Sequence, residues 1–188
     1  MKEKILEKSI VLFEKKGFSE TSIQDIVDEL SVTKGTFYYY FKSKEELLMD
    51  IHLRYINDIV HRQKEIVEDV KKDSKTKLFE VVFMLLSSIK TQGTSARVFY
   101  REMRNLSEEH LSQIIPTRDK FFSQLNGIID EGMGKGEFRN DLRSDMITFA
   151  VLGACNWSYQ WFNPNGPVPD YEVAEIYLEI FLNGINAE

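Results

Sequence analysis

The sequence predicts an all-α fold, and three observations carry that prediction. Apolar residues recur at helical spacing, as in Ile23, Ile26, Val27 and Leu30 at i, i+3, i+4 and i+7. Only 4 prolines and 10 glycines interrupt the 188 residues, which favours long regular elements. No segment shows a convincing period-two alternation of the kind a half-buried strand carries. Hydrophobic residues make up 43% of the chain, enough to bury a core. About nine helices are expected. The first three form a small domain over residues 1–46, and the others a larger helical domain over 47–188.

Taken in order, the first helix covers residues 2–16, with Ile5, Leu6, Ile10, Leu12 and Phe13 on its apolar side and Gly17 as its stop. Thr21 or Ser22 caps a second helix. Ser31, Val32 and Thr33 form a tight connection, and Thr33 caps a short third helix over 34–40. Ser43, with Glu46 three residues on, reads as a capping box opening a long fourth helix over about 44–70. A charged stretch over 71–77 reads as a loop. An apolar helix follows over about 76–90, then a turn at Gln92-Gly93-Thr94-Ser95 and a helix over about 96–105. The next helix starts at Ser107, is interrupted by Pro116 and ends in the Gly132, Gly134, Gly136 cluster near 135. The last two cover about 141–162 and 170–186, joined by the turn cluster Asn163 to Pro167.

Composition excludes several functions. One cysteine, Cys155, allows neither an intramolecular disulfide nor a Cys-rich zinc site, and fits a reducing cytoplasm. The first residues lead into an amphipathic pattern and not a signal-peptide core, and no apolar run approaches the ~20 residues that span a bilayer. His52, His61 and His110 show no metal-ligand spacing and read as helix-surface residues. No catalytic residue, cofactor or metal is expected. The net charge of −6 weighs little against nucleic acid, because binding follows the local field. Between Leu30 and Lys44 there is no acid, while Lys34, Lys42 and Lys44 are basic.

The informative segment is Thr21 to Leu47. Two short helices joined by a few residues and buttressed by a third make a helix-turn-helix. The third helix holds Phe37, Tyr38, Tyr39, Tyr40 and Phe41, more aromatics than one side of a short helix can bury. Phe37 and Phe41 at i, i+4 suit the core, which turns the tyrosines at least partly outward. Exposed phenols beside lysines suit a phosphate backbone, where the hydroxyl donates to oxygen and the ring meets sugar or thymine methyl. Gly35 permits close approach to a groove. The alternative is packing of the tyrosines against the first and fourth helices.

These residues, Thr21-x-Ile23-x-x-Ile26 followed by Val32-Thr33-Lys34-Gly35-Thr36-Phe37-Tyr38-Tyr39-Tyr40-Phe41-Lys42-Ser43-Lys44-Glu45-Glu46-Leu47, resemble the TetR family of bacterial repressors. The resemblance covers roughly the first quarter of the chain. Two positions depart from it: the family usually carries a small residue at Val27 and Gly at Ser31, so Ser31 is expected in a strained turn. The resemblance implies that Thr33, Tyr38 and Lys44 hold phosphates. Lys34, Gly35, Thr36 and Tyr39 would lie along the major groove of a near-palindromic operator, and Tyr40 would straddle groove and backbone. It implies a homodimeric repressor released by a small-molecule effector.

The C-terminal segment Gly153 to Phe162, with Pro164-x-Gly166-Pro167 and Tyr171-x-x-Ala174-x-x-Tyr177, resembles a TetR subgroup responding to acyl-coenzyme A or related fatty-acid thioesters. Trp157, Phe162, Tyr171 and Tyr177 are expected at a dimer interface built from two helical hairpins, with intramolecular core as the alternative. Trp157 and Trp161, sharing a face, and Phe99, Arg101, Met103 and Arg104 are candidates for the ligand wall. Arg97, Arg101 and Arg104 also read as a solvated face paired with Glu102, Glu108 or Glu109. Two rival readings stay open. A constitutive DNA-binding dimer would have a fully packed helical body and no effector. An all-helical enzyme would need a phosphate loop or catalytic constellation; Gly132-x-Gly134-x-Gly136 ends a helix instead of opening one, and Cys155 lies in an apolar run.

Overall fold

The computed structural model describes residues 1–183. Among the described residues there are eight α-helices, one 3-10 turn and no strand. They are α1 (Lys2–Lys16), α2 (Ile23–Glu29), α3 (Lys34–Tyr40), α4 (Lys44–Val67), α5 (Ser74–Glu102), α6 (Glu108–Gly134), α7 (Ser144–Trp161) and α8 (Asp170–Asn183), with the 3-10 turn at Met103–Asn105 between α5 and α6. The predicted end of the last helix near 186 lies outside the described residues.

The chain forms two compact units. One comprises Met1–Asn57 with Gln92–Thr117, the other residues 58–91 with the chain from Arg118 onward. α4, α5 and α6 each contribute residues to both.

The first unit is built on α1 to α3. Ile5, Leu6, Leu12 and Phe13 of α1 are buried, and so are Ile26 and Val27 of α2 and Phe37 and Phe41 around α3. Burying a Phe or Ile contributes roughly 1.5–3 kcal/mol, so these side chains fix the three helices. Leu47, Leu48 and Ile51 continue the core along α4, and Phe99 packs against Tyr55 and His52 with ring centroids 5.0 Å apart in each case. His52 is therefore core, which corrects the expected surface position. Both ring nitrogens face carbonyls, Nδ1 at 2.8 Å from Leu48 O and Nε2 at 3.1 Å from Phe99 O.

In the second unit, Leu78, Val81, Val82, Leu85 and Leu86 of α5 pack with Leu125, Ile128 and Ile129 of α6 and Val151, Cys155 and Tyr159 of α7. The Tyr159 hydroxyl lies 3.2 Å from Ser88 Oγ. Burial pushes the Cys155 thiol up to about 12, so it is an inert core side chain. α6 ends where Glu137 and Phe138 N–H groups both donate to Gly132 O, with Gly136 at φ 74°. A Cβ on Gly132 would collide with the Phe138 ring, so glycine is required there.

The expected break at Gln92 to Ser95 does not occur: α5 runs through it for 29 residues. Gly93 is buried in mid-helix, flanked by buried Ile89 and Ala96. The helix cost of a glycine, about 1 kcal/mol, is smaller than what that packing supplies. Pro116 likewise lies inside α6 without ending it.

Candidate nucleic-acid interface

Local capping sets the geometry of the helix-turn-helix. At α2, Ser22 Oγ accepts from Asp25 N (3.0 Å) and the Asp25 carboxylate accepts from Ser22 N (2.7 Å), a reciprocal capping box. Those Ser22 hydrogen bonds, with Lys16 alongside, hold the Asp25 carboxyl down at about 2. Of the two candidate caps, Ser22 is the cap, while the Thr21 hydroxyl donates to Gly17 O at 2.7 Å and ties the α1–α2 loop together. Thr33 caps α3, its Oγ1 accepting from Thr36 N at 3.3 Å. Ser43 Oγ accepts from Glu46 N at 3.0 Å, but the Glu46 carboxylate accepts from Lys42 N, one residue beyond the N-cap nitrogen of a standard box.

The turn between α2 and α3 has Ser31 at φ 53°. This is the strain expected from a non-glycine residue at that position. The turn is held by Ser31 N donating to Asp28 O and Val32 N donating to Val27 O, both at 3.0 Å.

α3 then presents its outer face. Phe37 and Phe41 anchor it, while Tyr39 is 81% and Tyr38 53% exposed, which excludes simple packing of these two rings as core. Tyr40 is half-buried, edge-on to Tyr39 with centroids 4.8 Å apart. Thr33, Lys34 and Gly35 are exposed and Thr36 is half-buried. Lys34 and Lys42 make no ion pair among the described residues, so their charge is available to a phosphate. Lys44, by contrast, turns onto the α1–α2 loop, where its ammonium meets backbone carbonyls.

The other expected site residues are less gathered. Phe99 is fully packed in the first unit. Arg101 donates to Glu102 (2.6 Å) and to the Phe13 and Glu14 carbonyls at the end of α1. Arg97 pairs with Glu14 at 2.8 Å, so the arginine face is paired largely within its own unit. A cavity of about 340 Å³ in the first unit is bordered by Lys15, Lys16, Arg101 and Arg104. A smaller one of about 180 Å³ in the second is lined by Leu78, Ile129, Phe138, Leu142, Ile147 and Phe181. Phe99, Met103, Trp157 and Trp161 line neither.

Of the expected interface residues, Phe162 is buried, and Tyr177 is half-buried with its hydroxyl 2.8 Å from Ser158 Oγ. Trp157 (67%), Trp161 and Tyr171 are exposed. Met146 and Phe149 on α7 and Ile176 and Ile180 on α8, not anticipated from sequence, are exposed with them. The stripe Phe149, Gly153, Trp157, Trp161 at four-residue spacing was the available signal. A Cβ on Gly153 would meet nothing within 4 Å, so the stripe has an open notch at its centre. No described helix is long and apolar enough to cross a membrane.

Comparison with known proteins agrees with this geometry. Residues 5–51 match the family described as bacterial regulatory proteins, tetR family, and residues 71–185 match the tetracyclin repressor-like C-terminal domain. The chain is 26% identical to the HTH-type transcriptional repressor KstR2 of Mycolicibacterium smegmatis, over 98% of this chain and 90% of that protein. The crystal structure of the TetR family regulator PfmR from Thermus thermophilus superposes with a TM-score of 0.89 at 30% identity, covering 97% of this chain and 99% of that one. AibR, solved in complex with isovaleryl coenzyme A and operator DNA, shares the fold with a TM-score of 0.87 at 21% identity, covering 96% and 97%. Helix-turn-helix, helical body and relatives converge: the chain belongs to the TetR family and is a DNA-binding transcriptional repressor, not an enzyme.

Proposed function

We propose that the chain acts in the cytoplasm as a homodimer that places two α3 helices in successive major grooves of a near-palindromic operator, about 34–36 Å apart. The observation that carries this reading is the exposed Tyr38–Tyr39 pair, held outward by buried Phe37 and Phe41 and bordered by unpaired Lys34 and Lys42. Thr33 and Tyr38 take phosphates. Lys34, Gly35, Thr36 and Tyr39 face the groove, and Tyr40 lies between groove and backbone. Functionally the chain divides at residue 46, with DNA contact before it and effector binding and dimerisation over 47–188. The dimer forms through the exposed α7–α8 stripe of Trp157, Trp161 and Tyr171, since aromatic surfaces of this kind are what oligomers bury.

A small molecule, an acyl thioester of coenzyme A, releases the operator. Its support is the isovaleryl coenzyme A bound by AibR, together with Gln63 and Gln124, whose buried amide oxygens lack hydrogen-bond partners among the described residues. Because α4, α5 and α6 feed both units, an effector that moves them changes the spacing of the two α3 helices, and ligand and DNA weaken each other reciprocally. The test selects a duplex from a random pool with the wild-type protein. Binding is then followed by fluorescence anisotropy against acyl-coenzyme A thioesters of graded chain length. Release by one chain-length class supports the whole reading. Tight binding that no thioester disturbs removes the effector assignment, and failure to select any duplex removes the DNA interface.

A further inference from the structure

Lys44 opens α4, yet its ammonium points back to the loop between α1 and α2. Nζ lies 2.7 Å from Phe18 O, 2.6 Å from Thr21 O and 3.4 Å from Ser19 O. It also stands 4.3 Å from the centroid of the Phe18 ring. An ammonium has three donors and no acceptor, and three carbonyls of one short loop use all of them. No carboxylate is in ion-pair contact with it among the described residues; Glu20 and Asp25 act only at longer range. The next residue after that loop is Ser22, the cap of α2.

We propose that Lys44 is a positioning residue and not a phosphate ligand: it clamps the α1–α2 loop to the first turn of α4. The first turn of α4 is thereby held in a fixed direction against the loop that precedes α2. The loop carbonyls converge because Phe18 packs edge-on against Phe13 (5.4 Å) and Thr21 is pinned to Gly17. Phe18 O, which also accepts from Thr21 N at 3.3 Å, has a second lone pair for the ammonium. A helix N-terminus offers N–H groups to phosphate only where its direction is fixed. The clamp supplies that direction for α4. The proposal rests on the DNA-contact reading above for its consequence, and on the free protein for its geometry.

The first test needs no substitution. Wild-type protein is labelled with acetic anhydride, free and bound to a duplex selected from a random pool. Lys44 is expected to label slowly in both states, while Lys34 and Lys42 label readily in the free protein. Ready labelling of Lys44 in the free protein, followed by protection on the duplex, would overturn the clamp. Failure to select a duplex would sink the DNA reading alone, and free-protein labelling would still decide the clamp. The second test is Lys44→Met. Affinity for the duplex is expected to fall on the order of tenfold, the loss of charge-assisted hydrogen bonds that position the site. The slope of log affinity against log salt stays unchanged, and amides over 17–22 exchange faster in the free variant. A slope shallower by about 0.9, as for one lost phosphate contact, with unchanged exchange would assign Lys44 to the DNA instead.

Discussion

The Glu45 carboxylate lies 2.7 Å from His110 Nδ1 and 2.7 Å from the Ser107 backbone nitrogen, so the first turn of α4 is latched to the start of α6 across 65 residues of sequence. Those hydrogen bonds, Ser107 first, hold the Glu45 carboxyl below its usual range near 4.5. A depressed carboxyl pKa means that the folded protein binds fewer protons than the unfolded chain. The latch therefore stabilises above pH 4.5 and is lost as pH falls through the folded-state value. Glu45→Gln is expected to lower stability by about 1 kcal/mol at neutral pH. In thermal melts, variant and wild type should converge at acid pH.

His52 titrates in a different window. Burial is the largest influence on its pKa and lowers it below 6.5, against the two carbonyls and Glu102, which favour the charged form. The ring therefore holds its proton less tightly in the folded state than in the unfolded chain. Stability from this group is complete above pH 6.5 and declines as pH falls below it. Denaturant unfolding across about pH 5–7 should show that slope in the wild type and lose it in His52→Gln.

At the α2–α3 turn, Ser31 keeps a left-handed backbone with a side chain attached. Ser31→Gly removes a penalty of about 1 kcal/mol, and the melting temperature should rise with operator affinity unchanged. A fall in stability would show that the Ser31 side chain contributes more than its strain costs.

Trp157 is the most exposed ring of the α7–α8 stripe. Trp157→Glu places a charge there without touching the core. Sedimentation should report monomers, and operator affinity should drop roughly a hundredfold, the loss of two-site avidity.

How much of this was legible in the sequence differs between the ends of the chain. Ser22, Thr33 and Ser43 announce their helices because a cap is a local event between residues two or three apart. Strain at Ser31 was legible through the family resemblance, because the TetR pattern usually carries glycine at that turn position. The continuity of α5 through Gly93 was not, since it rests on burial of Ile89 and Ala96 by residues distant in sequence. For the same reason His52 and His110 could not be read correctly. One gains carbonyls from Leu48 and Phe99, the other a carboxylate from Glu45, and both Phe99 and Glu45 lie far along the chain from the histidine they serve. Phe162 looked like the exposed aromatics near it, and only its packing makes it buried.

The most direct measurement compares Tyr39→Ala with Phe37→Ala and wild type on the selected duplex, alongside thermal stability. Tyr39→Ala is expected to keep stability within about 0.5 kcal/mol while operator affinity falls at least about tenfold. Phe37→Ala, which empties the core beneath α3, should instead cost about 3–5 kcal/mol of stability. Full operator affinity in a stable Tyr39→Ala protein would contradict the assignment of the α3 face to DNA.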